Sequence, residues 1–548
     1  MSTGAESEVK QTESAANEIG YVIEVNGERA LVELTASTTT AMAADYFPGQ
    51  PGSHVEIGMR AHRAIGIVTS VRRDTTTQPA RNVAECILVG TLDDKGKFGR
   101  GIAVYPTVGQ KASMVTPEDL DSIFTGFGRF GYSFARPTLA QRERVYIQAD
   151  RFFGQHIAVL GTTGCGKSCT VCSMLQSAIA KYPDTHIIVL DLHGEYSAAF
   201  KEEDVLLITP EELELPYWVL NYEEFADLTI DPSEDTARNQ YSVLHDVLNR
   251  SRQGNPTKET LAIAKSLTAD SPVYYELDDL IAQIRNWNIQ LVADGEGRMV
   301  PGPLYGVFDR FLIRFDSRTS DPRFNFMFAP SKYKDNKSLT DLLASFLSID
   351  TGKRMAVIDL SGIPTEAIDV VAAVVSRMAF EFNRWNPDQK RFPVLLVYEE
   401  AHNYVPRESG GKLRPAKTAI ERIAKEGRKY GIGAVLVSQR PTELSETVLA
   451  QCNTFVAMRV TNPDDQAYVC KLVPDSLSGL LSMLPALRTG EALLLGDSVP
   501  LPTRALVDCP EPKPDSSDIE FSRWWSDGIK SMDLERVVKR WRARSHKL

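Results

Sequence analysis

The sequence predicts an α/β protein with a mostly parallel β-sheet, a small β-barrel before that sheet and a helical insertion within it. Three observations predict this fold. Short β-type runs fill residues 18–125, and continuous apolar runs separated by helical stretches follow from residue 126. Between the second and third of these apolar runs, residues 209–351 lack the pattern and contain charged helical segments. A chain of 548 residues is long enough for several such units.

Residues 18–125 have the features of a small β-barrel. Their β-type runs are separated by turn signals such as Asn26-Gly27 and Pro48-Gly49, and many short strands at close spacing favour a barrel. Residues 1–17 are polar and small, and we expect them to be disordered because they cannot bury enough apolar surface to offset the entropy of ordering. The β-type runs are 21–23, 30–34, 54–57, 64–68 and 86–90.

The α/β core is predicted in two parts, 126–208 and 352–508, followed by a helical tail at 509–548. Its apolar runs are continuous rather than alternating, as strands covered on both faces require. Helical stretches at 168–181, 366–385 and 417–430 separate several of them. The predicted strands are 157–160, 187–190, 356–360, 394–397, 434–437, 455–458 and 492–495.

A glycine-rich segment between the first predicted strand and its helix matches the pattern of a phosphate-binding P-loop. Backbone N–H groups at the positive end of a helix can surround phosphates, Lys167 would reach the β and γ phosphates, and Ser168 would bind Mg²⁺. A glycine turn before an ordinary helix would not require Lys followed by Ser. The segment therefore predicts a RecA-like P-loop ATPase core that uses ATP and Mg²⁺. The expected nucleotide contacts are Gly161, Thr162, Thr163, Gly164, Cys165, Gly166, Lys167, Ser168 and Cys169.

Paired carboxylates follow the predicted strand 394–397 and occupy the Walker B position. Glu399 would hold Mg²⁺ through water, where most Walker B strands carry Asp, and Glu400 would act as the base that polarises the attacking water. Two solvated carboxylates at the favourable end of a helix are the alternative, but that alternative does not explain the apolar strand before them.

Two further polar residues follow predicted strands at the same edge of the sheet. Gln439 follows strand 434–437 and is predicted to sense the γ-phosphate, rather than only to cap its strand. Asp191 follows strand 187–190 and is predicted to contact nucleotide, with a simple turn as the alternative. The role of the nearby His193 stays open.

Basic residues outside the P-loop provide two more hypotheses. Arg428 is the first candidate for an arginine that acts on a neighbouring subunit's nucleotide, with Arg422 and Arg440 as alternatives, although an exposed cationic helix end is the ordinary interpretation. A net basic, glycine-containing loop follows the paired glutamates. It could contact DNA phosphates or be only a solvated connector. Its candidate DNA contacts are Arg407, Lys412, Arg414 and Lys417.

Composition narrows the class of protein. The formal net charge of −11 argues against an all-basic nucleic-acid surface but leaves room for a local basic channel. No apolar run approaches the roughly 18 residues that a membrane span needs, so we expect a soluble, cytoplasmic protein without a membrane partner. Cys169 and Cys172 have C-x-x-C spacing but are expected to be packing residues one turn apart on a helix, not metal ligands.

Six motifs in order resemble the HerA family of FtsK-related ATPases: GTTGCGKS, DLHGEY, LPYWVLNYEEF, YEEAHNYVP, EGRKYG and VSQRP. The resemblance covers about residues 18–508. It implies a homohexameric ring around duplex DNA, ATP hydrolysis between subunits, and pumping of DNA for an effector that docks on the N-terminal barrel. In this family the effector is a NurA-type nuclease in DNA end processing, and similar bacterial proteins in anti-phage defence pair with a sirtuin-like NADase or another nuclease.

Other functions stay open at this point. The ring could act mainly as an assembly scaffold and regulator of its effector, and an ATPase assay separates that function from a motor. A conjugation-type DNA-pumping ATPase would share the core but should have a membrane anchor. A dinucleotide-binding oxidoreductase is excluded because Lys167 and Ser168 would have no role in it.

Overall fold

A computed structural model of the chain describes residues 18–35, 49–127, 131–254, 257–388, 391–408, 414–474, 477–516, 519–527 and 531–543. Residues 1–17, for which disorder is expected, lie outside the described residues. The chain forms two compact units. Unit 1 comprises Met1–Pro183 and Ala434–Pro514, and unit 2 comprises Asp184–Gly433 and Asp515–Leu548.

The described residues contain β-strands throughout both units. They are β1 (Glu18–Asn26), β2 (Arg29–Leu34), β3 (His54–Gly58), β4 (His62–Asp74), β5 (Arg81–Asp93), β6 (Phe98–Arg100), β7 (Lys111–Met114), β8 (Ala135–Pro137), β9 (Ile157–Leu160), β10 (His186–Asp191), β11 (Val205–Ile208), β12 (Leu291–Ala293), β13 (Met299–Pro301), β14 (Met355–Asp359), β15 (Val394–Tyr398), β16 (Ile432–Ser438), β17 (Thr454–Ala457), β18 (Glu491–Gly496) and β19 (Thr503–Val507).

Helices lie in half of the connections between these strands. They are α1 (Pro117–Phe127), α2 (Ala149–Gly154), α3 (Lys167–Lys181), α4 (Tyr222–Thr229), α5 (Ala237–Gly254), α6 (Leu277–Ile289), α7 (Asp309–Thr319), α8 (Asn325–Phe328), α9 (Ser338–Phe346), α10 (Thr365–Trp385), α11 (Pro415–Glu426), α12 (Glu446–Leu449), α13 (Pro463–Leu472), α14 (Ser478–Leu481), α15 (Phe521–Ser526) and α16 (Leu534–Ala543).

The N-terminal part of unit 1 is a closed antiparallel barrel. Its six strands follow the order β2-β1-β7-β3-β4-β5, and pairing of β2 with β5 closes the ring, while β6 adds to β5 as a hairpin. Apolar side chains such as Val22, Val32, Val55 and Cys86 are buried in its core. The alternation of buried and less buried residues along β2 is what a strand with one face on a core requires. The prediction of a barrel is confirmed.

Unit 1 also contains a sheet with both parallel and antiparallel pairs. Strands β16 and β17 flank β9 in parallel, and β18, β19 and β8 extend the sheet from β17 in antiparallel order. Every residue of β9 is buried. The first part of this sheet is therefore parallel, as predicted, whereas its outer strands are not. Helix α3 follows β9 directly after a short loop.

Unit 2 contains an all-parallel array in the order β11-β14-β10-β15. Leu190 of β10 stands opposite Tyr398 of β15, so these two strands end at the same level. Helix α10 buries a long apolar face that includes Val370, Val374 and Phe380. The predicted α/β class is confirmed in both units.

The segment predicted as a helical insertion, 209–351, contains helices α4 to α9 and the short hairpin β12–β13. That this segment is an insertion into the ATPase core stays a prediction, as do the domain boundaries. Within the described parts of the chain, no helix combines the length and the apolar character needed to cross a membrane.

Candidate nucleotide site

The P-loop of unit 1 runs from the end of β9 into the first turn of α3. At two of its positions the structure explains why the residue is glycine. A side chain at Gly161 would place its Cβ 2.7 Å from Cys165 Sγ and 2.9 Å from Met458 Cβ, where there is no room. Gly166 is the N-terminal cap of α3 with φ of 98°, in the left-handed region that favours glycine. Thr163 and Gly164 are exposed at the tip of the loop.

Hydrogen bonds fix this loop to neighbouring segments of unit 1. Gly161 N donates to Ser438 O over 3.2 Å, and Thr162 N donates to Arg459 O over 2.9 Å. On the other side, Gly490 N donates to Cys165 O over 3.0 Å. A loop held at several points can present its remaining backbone N–H groups to phosphates without reorganising.

The side chains of the P-loop lie as a phosphate site requires. Lys167 is half-buried, and its Nζ donates to Thr162 O over 3.2 Å. Within the part of the chain that the structure describes, Lys167 has no carboxylate partner. Ser168 is half-buried at the same helix start. Because its ammonium is bonded only to a neutral carbonyl, Lys167 remains available for an anion.

Gln439 lies at the P-loop, as expected of a sensor. It follows β16, and the Thr163 hydroxyl donates to its Oε1. Cys165 is buried under the loop, with its Sγ 4.0 Å from Met458 Sδ. Cys169 and Cys172 both lie on α3, where Cys169 is half-buried and Cys172 is buried.

In unit 2, Asp191 and Glu399 lie side by side where β10 and β15 end. Asp191 is fully buried, and its carboxylate accepts hydrogen bonds from four successive backbone N–H groups, at 2.9 to 3.3 Å, in residues 193–196. These bonds give Asp191 a role in shaping the loop after β10. That it also contacts nucleotide stays a prediction, and so does any role of His193 beyond this loop.

Glu399 is buried against this loop. Its Oε2 accepts a hydrogen bond from Leu192 N over 2.9 Å. Burial, together with the neighbouring Asp191 and Glu195 carboxylates, raises the pKa of Glu399 well above its usual value. A cation bound beside Glu399 would favour its charged form. This is the environment expected of a carboxylate that works with a metal ion.

Glu400 has a strained backbone and a buried carboxylate oxygen that accepts no hydrogen bond from the described residues. Its φ of 46° lies in the left-handed region, which costs a non-glycine residue on the order of 1–3 kcal/mol. Its Oε2 is buried and has no hydrogen-bond partner among the described residues, although His402 Nδ1 lies 3.4 Å away. Asn403 N donates to Glu400 O over 2.9 Å and holds this turn. A strained residue with an unsatisfied acceptor is typical of a functional group.

Each unit carries an oxygen donor of the kind that Mg²⁺ binds together with a nucleotide. Among the described residues, no cluster of three or more His, Cys, Asp or Glu side chains could hold a metal ion alone. Magnesium usually takes one or two protein oxygens and completes its shell with phosphates and water. The hydroxyl of Ser168 and the carboxylate of Glu399 are oxygen donors of that kind.

Comparison with known proteins finds similarity to helicase HerA. Residues 136–379 match the family model described as the central domain of helicase HerA. The DNA double-strand break repair helicase HerA of Saccharolobus solfataricus is 24% identical over 95% of this chain and 97% of its own length. The protein of the same name from Pyrococcus furiosus is 26% identical over 69% of each chain. The chain is similar to these HerA helicases over most of its length. It is an ATP-hydrolysing enzyme.

Solved structures similar to this chain include the bacterial conjugative coupling protein TrwB. It aligns with a TM-score of 0.43 and 14% sequence identity over 68% of this chain and 89% of that one.

The three arginines that are candidates for action on a neighbouring subunit's nucleotide have different surroundings. Arg422 donates to Glu381 over 2.8 Å and stacks on Phe380, with 4.2 Å to the ring centroid. Arg440 donates to Glu443 over 2.6 Å. Arg428 is exposed in a tight turn after α11 and has no ion pair among the residues that the structure describes. These contacts favour Arg428, whose role stays a prediction.

The basic loop after the paired glutamates is held at both ends. Lys417 Nζ donates to Arg407 O over 3.1 Å, and Arg414 lies 3.8 Å from Asp369 Oδ1. Lys412 lies outside the described residues. Asp369 is almost fully buried, and its burial raises its pKa to about 7. That any of the four basic residues contacts DNA stays a prediction.

One residue at the P-loop was missed in the sequence. Arg459 comes two residues after β17, which pairs with β9, and both its carbonyl and its guanidinium contact the loop. Its position after the predicted strand 455–458 was the signal that could have found it. Asp191 and Glu399 were found in the sequence by their position directly after predicted strands.

Proposed function

We propose that this chain is a DNA translocase that couples ATP hydrolysis to the movement of duplex DNA. The observation that carries the proposal is the P-loop 161–168, whose Lys167 has no carboxylate partner in the described parts of the chain. The names of the curated relatives support this proposal, because those proteins are called helicases of DNA double-strand break repair.

In this proposal each predicted site residue has one task. Lys167 and the backbone N–H groups of the P-loop hold the phosphates of ATP. Glu400 accepts a proton from the attacking water, and Gln439 detects whether the γ-phosphate is present. Ser168 and Glu399 hold Mg²⁺, which supplies charge neutralisation at the phosphates when it is bound. Glu399 is oriented for this task by the N–H of Leu192.

Duplex DNA is the proposed track, and DNA end processing is the proposed context. The names of the curated relatives favour DNA repair over anti-phage defence. An effector, of the nuclease or NADase kind, is proposed to dock on the barrel. The loop after β6 offers a surface for it, because Val104, Tyr105 and Val108 are exposed there.

DNA should stimulate ATP hydrolysis by the full-length chain, and this stimulation tests the function. We expect ATP turnover to rise with duplex DNA of any sequence and to lose this stimulation steeply as salt increases, because phosphate contacts release counterions. ATP should also drive displacement of a third strand from a triplex. A chain that hydrolyses ATP without response to DNA, and displaces no strand, would be a scaffold instead.

The basic loop should supply part of this DNA affinity. Replacing Arg407 and Lys412 together with alanine should weaken DNA binding and reduce the salt slope by about one to two units, because two phosphate contacts are lost. The matched control replaces Lys95 and Lys97, two exposed cations on the barrel hairpin. Filter binding at several salt concentrations measures the DNA affinity and the salt slope. If both quantities are the same in the two double variants, the loop is only a solvated connector.

A homohexamer with one arginine acting between subunits is the proposed assembly. Arg428→Ala should lower ATP turnover by about 10²-fold or more while the hexamer persists, because one cation at the transition state is lost. The control is Lys429→Ala, the adjacent exposed cation. Mixing Arg428→Ala with Lys167→Ala subunits should restore some turnover at hybrid interfaces. Light scattering that finds only monomers, with ATP and DNA present, would contradict the ring.

A further inference from the structure

Arg459 is fixed beside the P-loop by its own backbone. It comes two residues after β17, the strand that lies parallel to β9. Its carbonyl accepts a hydrogen bond from Thr162 N over 2.9 Å and another from Thr162 Oγ1 over 3.0 Å. These two bonds fix the Cα of Arg459 at the rim of the loop, so its side chain starts where phosphates would be held.

Among the residues that the structure describes, the guanidinium of Arg459 has no carboxylate partner. Its Nη2 donates to Gly164 O over 3.5 Å, a long hydrogen bond to a neutral acceptor at the tip of the P-loop. Within the described ranges no acidic side chain lies within ion-pair distance of it. Lys167 likewise has no carboxylate partner among the described residues, and its Nζ donates a hydrogen bond to Thr162 O. Two cations are thus bonded weakly to the carbonyls of one phosphate loop.

Other arginines near this edge of unit 1 are neutralised. Arg488 donates to Glu491 over 2.7 Å, and Arg440 donates to Glu443 over 2.6 Å. Arg459 therefore differs from them in carrying an uncompensated charge. When an anion arrives, a charge-assisted bond to it is about twice as strong as the bond to Gly164 O.

If the Arg459 side chain moved away from the loop, the Gly164 carbonyl would still have a hydrogen-bond donor. The Gly164 carbonyl has a second donor, Thr489 Oγ1, also at 3.5 Å, and Gly164 is exposed to water. We propose that Arg459 is a second phosphate-binding cation, which acts within its own subunit and contacts the phosphate chain of a nucleoside triphosphate. The proposal rests on the proposed binding of ATP at the P-loop.

Two substitutions at position 459 separate this task from a structural one. Arg459→Gln keeps an N–H donor for Gly164 O but removes the charge, whereas Arg459→Lys keeps the charge. We expect Arg459→Gln to weaken ATP binding about 10- to 100-fold, the loss typical of a bond to a charged group. Arg459→Lys should restore part of it. The matched control is Arg488→Gln, which removes a charge that Glu491 already compensates.

Fluorescence titration with ATP, competition with pyrophosphate, and thermal unfolding without nucleotide are the three measurements. Weaker binding of both ATP and pyrophosphate by Arg459→Gln, with an unchanged unfolding midpoint, supports the proposal. Unchanged ATP affinity overturns it, and so does a loss for ATP without a loss for pyrophosphate. A midpoint that falls in Arg459→Gln and in Arg459→Lys alike would make Arg459 a structural support.

Failure of the proposed function can be distinguished from failure of the proposal for Arg459. If the unaltered chain binds ATP, and Lys167→Ala does not, ATP binding at the P-loop stands whatever happens at position 459. If the unaltered chain binds no ATP, both proposals fall together.

Discussion

Replacing Lys167 with alanine should abolish ATP hydrolysis, with kcat/KM falling by about 100-fold or more. Its Nζ is the cation that the first turn of α3 places on the P-loop, and within the described parts of the chain it donates a single hydrogen bond, to Thr162 O. Removal of a half-buried side chain with this single bond should leave the fold intact. Release of inorganic phosphate at saturating ATP measures the effect.

The control for this variant is Lys181→Ala. Lys181 is the last residue of the same helix and is exposed, so its loss removes an equal charge far from the loop. Circular dichroism should show the same helix content in both variants. Near-normal ATP turnover in Lys167→Ala would remove the P-loop assignment and, with it, the reading of Thr162, Gly164 and Ser168 as nucleotide contacts.

The strands that carry the site could be predicted because their signal is local. Residues 157–160 and 394–397 are continuous apolar runs, and the structure has β9 and β15 there with every residue buried. A strand with both faces covered must be apolar throughout, so its sequence is sufficient to place it. The polar residues directly after such strands, Glu399 and Gln439, follow from this placement.

Strands β8 and β11, each at an edge of its sheet, were not predicted from the sequence. β8 consists of Ala135–Pro137 and pairs with β19, which lies more than 360 residues later along the chain. Its three residues carry neither a period nor an apolar run that distinguishes them from a loop. β11 (Val205–Ile208) is a short apolar run that could have been found by this signal, although its central residues are not buried.

Contacts of the site residues were also beyond sequence reasoning. The ion pair of Arg414 with Asp369 joins the start of α11 to α10, and spacing along the chain gives no sign of it. Asp191 is predicted to contact nucleotide because of its place after a strand, and only the structure shows that its carboxylate also accepts hydrogen bonds from the backbone of its own loop. Charge and position find candidates, whereas tertiary packing decides which of them already have partners.

Replacing Glu400 with glutamine should give a protein that binds ATP but does not cleave it. We expect kcat to fall by about 10²- to 10⁴-fold, because a carboxamide cannot accept the proton of the attacking water. Glutamine has nearly the same shape, and the left-handed backbone of residue 400 is held by Asn403, so ATP affinity should stay unchanged. Single-turnover cleavage of ATP measures the first effect, and equilibrium titration measures the second.

Glu399→Gln is the comparison that tests which glutamate is the base. Its carboxamide would still lie beside Leu192 N, but it would bind Mg²⁺ more weakly, so excess Mg²⁺ should restore part of its turnover. Excess Mg²⁺ should not restore Glu400→Gln, because the missing group there is a base and not a metal ligand. If Glu399→Gln abolishes turnover at every Mg²⁺ concentration while Glu400→Gln remains active, the two roles are reversed. The buried Oε2 of Glu400, which accepts no hydrogen bond from the described residues, would then need another explanation.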